Sequence, residues 1–252
     1  MKVAFVVYPD FTTLDLIGPA EVISRWPDTE VHFVASASGP VRADCGITVV
    51  PTDTTEWLTD LDLIVVPGSG NPLPVLGDRV LIDWLAREAP KCQWTASVCT
   101  GASLYAAAGL LDGKKTATHW AFRDVVSAYG PEVVAERVVW QGNHISCAGV
   151  SAGIDMALTL SERVHGVDMA KALQLVIEYD PQPPLDSGSL EKADPATKRM
   201  AMQVLMDAAG VSRMEVAARM SRAIVGARLA RVRRALSGRR ARGEQVVAQS
   251  RG

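Results

Sequence analysis

Cys99 ends an apolar stretch and is followed at once by small residues, in Thr95-Ala-Ser-Val-Cys-Thr-Gly-Ala-Ser-Leu104. A buried strand that stops at a cysteine, with a helix starting directly after it, is a nucleophile elbow. The sharp turn lifts one side chain above the carboxyl edge of a sheet, where open α/β folds bind ligands, and Gly101, Ala102 and Ser103 let the helix pack closely. The N–H groups at the start of that helix are expected to favour thiolate over thiol. A cysteine without such a context is most often a packing residue. Cys45, Cys92 and Cys147 are expected to be of that kind, and Cys99 rather than any serine is read as the nucleophile.

A nucleophile at a sheet edge needs an acid or base within hydrogen-bond reach and donors for developing charge. Two segments after other strands supply such groups. In Phe11-Thr-Thr-Leu-Asp-Leu-Ile-Gly-Pro19, Asp15 falls at the start of a helix, where its alternative role is an N-cap carboxylate. In Val65-Val-Pro-Gly-Ser-Gly-Asn71, Gly68, Ser69 and Gly70 can aim backbone N–H groups at a substrate atom, and the alternative is a plain tight turn. No G-x-G-x-x-G opens a helix, so a dinucleotide site is excluded.

These residues require a sheet to hold them. Apolar runs at 2–8, 31–35, 61–66 and 94–98 read as strands covered on both faces. They alternate with helical patterns at 16–25, 80–88 and 102–108, which is the signature of βαβ units in a three-layer α/β sandwich with a mostly parallel sheet. A helix at 119–129, a hairpin of 137–141 with 144–147, and helices at 152–165 and 168–179 follow. Pro-rich residues 180–189 close this domain, 1–189. Beyond lies a helical extension, 190–252: a helix at 195–209, a second opened by the capping box Ser212-x-x-Glu215 and ended by Gly238, then a polar tail after residue 238 expected to be disordered.

The formal net charge of −2 conceals a division. Residues 1–189 carry 12 basic against 23 acidic side chains, net −11, and residues 190–252 carry 14 against 5, net +9. The basic extension is expected to dock on its own acidic body or on a dimer mate, with a solvated arginine face. DNA is the alternative partner, but no recognition helix is legible and nucleic acid is not expected. No apolar run nears the roughly 20 residues of a membrane span, and no signal-peptide pattern opens the chain. The four cysteines show neither zinc-ligand spacing nor a disulfide framework, which fits a reducing cytoplasm.

Ser97-Val-Cys-Thr-Gly101, Ala107-Ala-Gly-Leu-Leu-Asp-Gly-Lys114, Thr116-Ala-Thr-His-Trp120, Glu136-Arg-Val-Val139 and Gly149-Val-Ser-Ala-Gly-Ile-Asp-Met-Ala-Leu158 together resemble the ThiJ/PfpI superfamily of class I glutamine amidotransferase-like proteins, over about residues 1–189. Asp15 in its Leu-Asp-Leu-Ile-Gly-Pro setting, Thr100 after Cys99, and Leu-Val-Ile-Glu-Tyr-Asp-Pro-Gln-Pro-Pro at 175–184 are most similar to the isocyanide hydratase branch. The resemblance implies a flavodoxin-like homodimeric enzyme that adds water to an isocyanide, giving an N-substituted formamide without metal or organic cofactor. Cys99 would attack the terminal carbon to form a thioimidate, Asp15 would donate the proton, and Thr100 would orient water or substrate. Gly68, Ser69 and Gly70 would line the site, and Ser151 matches a small hydroxyl residue beside the cysteine. Protease-like members place a histidine directly after the cysteine. Here that position is Thr100, and His119 is read as a possible site neighbour rather than as the general base. The basic extension is longer than the hydratase pattern requires. Two alternatives share the fold: the ligand-sensing domain of an AraC-type regulator, and a redox-sensing or glyoxalase-like member, which typically presents Glu where this chain has Asp15.

Overall fold

Val3, Ala4, Phe5 and Val6 are fully buried, as are Leu63, Ile64, Val65 and Val66, because their strands lie in the middle of a sheet covered on both faces. The computed structural model describes residues 1–208, 215, 218, 220–233 and 236. Along the chain come β1 (Lys2–Val6), α1 (Thr13–Ile23), β2 (Glu30–Ala35), β3 (Val41–Arg42), β4 (Thr48–Val49), β5 (Asp53–Thr54), β6 (Leu63–Val66) and α2 (Arg79–Glu88). Then follow β7 (Trp94–Val98), α3 (Ala102–Ala107), β8 (Lys115–Thr116), α4 (Arg123–Ala128), β9 (Glu132–Val133), β10 (Val138–Gln141), β11 (His144–Cys147), α5 (Ala152–His165), α6 (Val167–Val176) and α7 (Pro195–Ala208).

A seven-stranded sheet runs in the order β10-β11-β7-β6-β1-β2-β5. Only the β10–β11 pair is antiparallel, being the hairpin read at 137–147. Helix α5 packs on both α1 and α6 in one layer, and α3 on both α2 and α4 in the other. The architecture is therefore the expected α/β sandwich with a mostly parallel sheet and a C-terminal helical extension. β7, β6 and β1 are adjacent and parallel, so the segments leaving their carboxyl ends converge at one edge. Those segments carry Cys99, Gly68–Gly70 and Asp15.

The boundaries shift where backbone bonding overrides side-chain pattern. The first helix begins at Thr13, earlier than the apolar pattern at 16–25 suggested, and its N-cap is Thr12. The N-cap alternative for Asp15 is thereby excluded; Asp15 sits within the first turn, fully buried. The helix read at 119–129 is shortened to Arg123–Ala128 after a 3-10 turn over Trp120–Phe122. Strands β3, β4, β5, β8 and β9 are two residues each, too short to show any periodicity in sequence.

The extension lies on the body. Met206 and Ala227 are buried, and Met220, Ala223 and Ile224 pack against the core. Arg231 pairs with Asp112 at 3.2 Å and Arg123 with Glu191 at 3.4 Å. The capping serine Ser212, the stop at Gly238 and the polar tail lie outside the described residues. Among those described, no helix is long and apolar enough to cross a membrane.

Candidate active site

Cys99 follows β7 with φ 57°, a left-handed conformation that costs a residue with a Cβ about 1–2 kcal/mol. The strain is held by its neighbours. Thr118 Oγ1 donates to the Cys99 carbonyl at 2.8 Å, and a 3-10 turn over Cys99–Gly101 leads into α3. A Cβ on Gly101 would collide with the Val66 and Pro67 carbonyls, so only glycine lets this turn lie against the end of β6.

The three segments are laced together by hydrogen bonds. Thr12 N–H donates to the Gly68 carbonyl at 2.8 Å, and Gly68 N–H donates to Asp15 Oδ2 at 2.8 Å. Ser69 N–H donates to Thr100 Oγ1 at 2.8 Å, and that hydroxyl donates back to the Ser69 carbonyl at 2.8 Å. Tyr8 beneath them donates its phenol to the Pro67 carbonyl at 2.8 Å. A Cβ on Gly68 would stand 2.5 Å from Thr100 N and 2.7 Å from Asp15 Oδ2, neither of which can yield without breaking the lacing. Gly68→Ala is therefore expected to cost roughly 1–3 kcal/mol, read as a lowered melting temperature, and to misplace Asp15 and Cys99 together. Unchanged stability and unchanged thiol reactivity would contradict this packing.

Asp15 Oδ1 is buried and has no partner that meets hydrogen-bond geometry. Burial pushes the Asp15 carboxyl up to about 7, against the Gly68 N–H and the Cys99 thiol, which both pull it down. Cys99 moves the same way: burial lifts its thiol well above the ordinary range, the Asp15 charge adds to this, and the Thr100 N–H opposes without prevailing. The expected thiolate preference is thus overturned for the resting site. α3 spans only six residues, and its N-terminal partial charge is too small to offset burial beside a carboxyl group. At neutral pH the thiol keeps its proton, and the carboxyl gives its proton up far less readily than an ordinary aspartate does.

Cys99, Thr100, Ser69, Gly70 and His119 line one cavity of about 690 Å³. Asp15 and Gly68, bonded to each other, are not among its lining residues, and Asp15 meets the cavity through the Cys99 thiol. His119 Nδ1 accepts from Ala121 N–H at 3.4 Å, and burial, aided by Arg123, pulls the imidazole below its ordinary range. A neutral ring bonded this way fits a site neighbour more than a base. Ser151 lies outside. It is exposed at the start of α5 and accepts from Arg137 Nη2 at 3.4 Å, while Val150 lines the cavity in its place. The Gly149-Val-Ser-Ala-Gly153 spacing matches a serine elbow, but this serine faces solvent.

Cys92 and Cys147 are buried as expected, whereas Cys45 is exposed and lines the cavity, a correction to its structural reading. It occupies the turn between β3 and β4, where Gly46 has φ 91°, and its thiol is drawn down by the Thr13 hydroxyl at 2.9 Å. The Asp-Cys-Gly turn was the only sequence signal available. Phe122, Leu205 and Ala208 also line the cavity, and no local pattern marks residues brought in from distant helices. Among the described residues, no group of three or more His, Cys, Asp or Glu side chains is placed to hold a metal ion.

A parallel α/β sandwich with a strained cysteine elbow, faced by a buried carboxyl group, defines the class. The DJ-1/PfpI family pattern matches residues 1–163, and the chain belongs to that family. It is 41% identical over 206 residues to an isonitrile hydratase from Pseudomonas putida, covering 80% of this chain and 90% of that one. A ThiJ/PfpI family protein of known structure from Pseudomonas syringae shares 33% identity with a TM-score of 0.80, covering 90% of each chain. The HTH-type transcriptional regulator CdhR of Pseudomonas aeruginosa is 27% identical over 178 residues, which span only 51% of that regulator.

Proposed function

We propose that the protein hydrates isocyanides to N-substituted formamides, with Cys99 as nucleophile and Asp15 as proton carrier. The observation that carries this reading is a buried thiol beside a buried carboxyl of near-neutral pKa at the edge of a sheet. The terminal carbon of R–N≡C must receive a nucleophile and a proton at the same atom. In the first step the Cys99 sulfur bonds to that carbon and Asp15, replenished by the thiol proton, delivers hydrogen to it, giving R–N=CH–S–Cys99. In the second, Asp15 gives its proton to the nitrogen as water's oxygen adds to carbon and takes one back from that water, giving R–NH–CH(OH)–S–Cys99, whose hydroxyl proton passes to sulfur in the last step. Breaking the C–S bond then releases R–NH–CHO and restores the thiol.

Thr100, whose hydroxyl is spent on both backbone polar groups of Ser69, acts as a positioning residue that fixes the Gly68–Gly70 backbone against the elbow. Residues 1–189 form the catalytic domain and 190–252 the extension. The identity to an isonitrile hydratase over most of both chains supports this reading over a regulator, only half of whose length is matched. Exposed Leu175, Val176, Leu185, Met200 and Val204 offer apolar surface for the family's homodimer, and four free cysteines suit a reducing cytoplasm.

The test is direct: purified protein incubated with an alkyl or aryl isocyanide should yield the matching formamide, and its absence would refute the reading. The pH profile is a second check. The donor must be protonated for the first step, and Asp15 loses its proton near pH 7, so kcat/KM should fall as pH rises through about 7. A rate climbing steadily to pH 9, as for a free thiolate, would contradict the assigned donor.

A further inference from the structure

The basic extension does more than pair with the acidic body: its first helix borders the cavity that holds Cys99. Leu205 and Ala208, at the end of α7, line the same space as Cys99 and Thr100. α7 is firmly seated for this task. Asp194 caps its first turn, accepting from Ala196 N–H at 2.7 Å and Thr197 N–H at 3.0 Å, and Met206 is buried against the body. Farther on, Arg222, Ala223 and Gly226 border a neighbouring cavity with Leu73 and Leu76. Asn71 and Pro74 line both cavities, so the extension faces the loop after Gly70 across both of them.

We propose that α7 is the outer wall of the substrate cavity and that Leu205 and Ala208 are specificity-determining residues, selecting isocyanides whose R group is bulky, apolar and not anionic. The argument has two parts. The cavity of about 690 Å³ lies within the range of sites for drug-sized molecules and far exceeds what an isocyanide group alone needs. The space beyond Cys99 is bounded by Pro74, Val75, Phe122, Val150 and Leu205, which offer an R group apolar contact. At its rim stand Asp10, Asp44 and Asp78, and no lysine or arginine is among the described residues that line it. A carboxylate on R would meet like charge without a counter-ion there. The chemistry assigned to the isocyanide carbon rests on the function proposed above; the wall itself does not.

The experiment uses the full chain and two readouts. In Leu205→Trp, which fills the wall, and Ala208→Leu, at an exposed position that can take a larger side chain, kcat/KM for cyclohexyl isocyanide relative to methyl isocyanide should fall about tenfold. Alkylation of Cys99 by N-cyclohexylmaleimide relative to N-methylmaleimide should fall by a similar factor, which requires no turnover. If the parent shows no hydration but the maleimide ratio still falls, the wall stands and the assigned reaction fails. Both ratios unchanged in both variants would overturn the proposal. So would an isocyanide bearing a carboxylate on R turning over as fast as its neutral ester.

Discussion

Asp15→Asn is expected to give a protein that is more stable and nearly inactive. The folded carboxyl holds its proton to about pH 7, whereas the unfolded one loses it near 3.8. Between those values the folded state binds more protons, so stability falls as pH rises across the window, and above it the buried charge costs up to ~4 kcal/mol. Asparagine keeps an oxygen for the Gly68 N–H and removes the charge. Thermal or denaturant unfolding should therefore show the variant gaining on the parent from pH 4 to pH 8, with little difference below pH 4. Turnover should drop by about 10²–10⁴-fold, the usual worth of a placed proton donor. Alkylation of Cys99 should persist and quicken at pH 8, because the neighbouring charge that raises its pKa is gone. A variant with parental stability at every pH, or with full activity, would show that Asp15 is neither buried charge nor donor.

Cys99→Ala should reduce isocyanide hydration to the uncatalysed background, a loss of at least about 10⁴-fold, since the covalent route begins at this sulfur. Cys45 also lines the cavity, but it lies on the turn between β3 and β4 with its thiol bonded to the Thr13 hydroxyl rather than to Asp15. Cys45→Ala should therefore retain turnover where Cys99→Ala does not, and the reverse result would move the chemistry to the other thiol. Alanine keeps the left-handed backbone strain at position 99, so the loss would report on sulfur rather than on a relaxed elbow. Activity surviving in Cys99→Ala would end the thioimidate mechanism.

The sheet was legible because its central strands are almost wholly apolar, and so was the elbow, since a strand-Cys-Thr-Gly-helix junction is local. What escaped was set by three-dimensional packing. Asp15 was legible as a candidate acid after the first strand, but its bond to Gly68 and its burial beside Cys99 depend on the closeness of β1, β6 and β7. Thiolate formation was misjudged for the same reason: helix direction can be read from sequence, but complete burial beside a second acid cannot. Ser151 followed the family motif to a position that faces solvent, and Cys45 was lost among isolated cysteines because its exposure depends on the β3–β4 turn. The wall built by α7 bridges about a hundred residues from Cys99, beyond the reach of any short pattern.

The lacing of the three segments has a consequence for how the protein is made. Its bonds join residues 31 to 59 apart in the chain, so no short fragment contains the centre, and the enthalpy gained there must follow the closure of long loops. Synthesis proceeds from the N-terminus, which delivers Asp15 first, the Gly68–Gly70 backbone next and the nucleophile last. The nucleophile thus emerges after the groups it will meet in the cradle, and its full enclosure awaits Thr118, β11 and α7, which come later still in the chain.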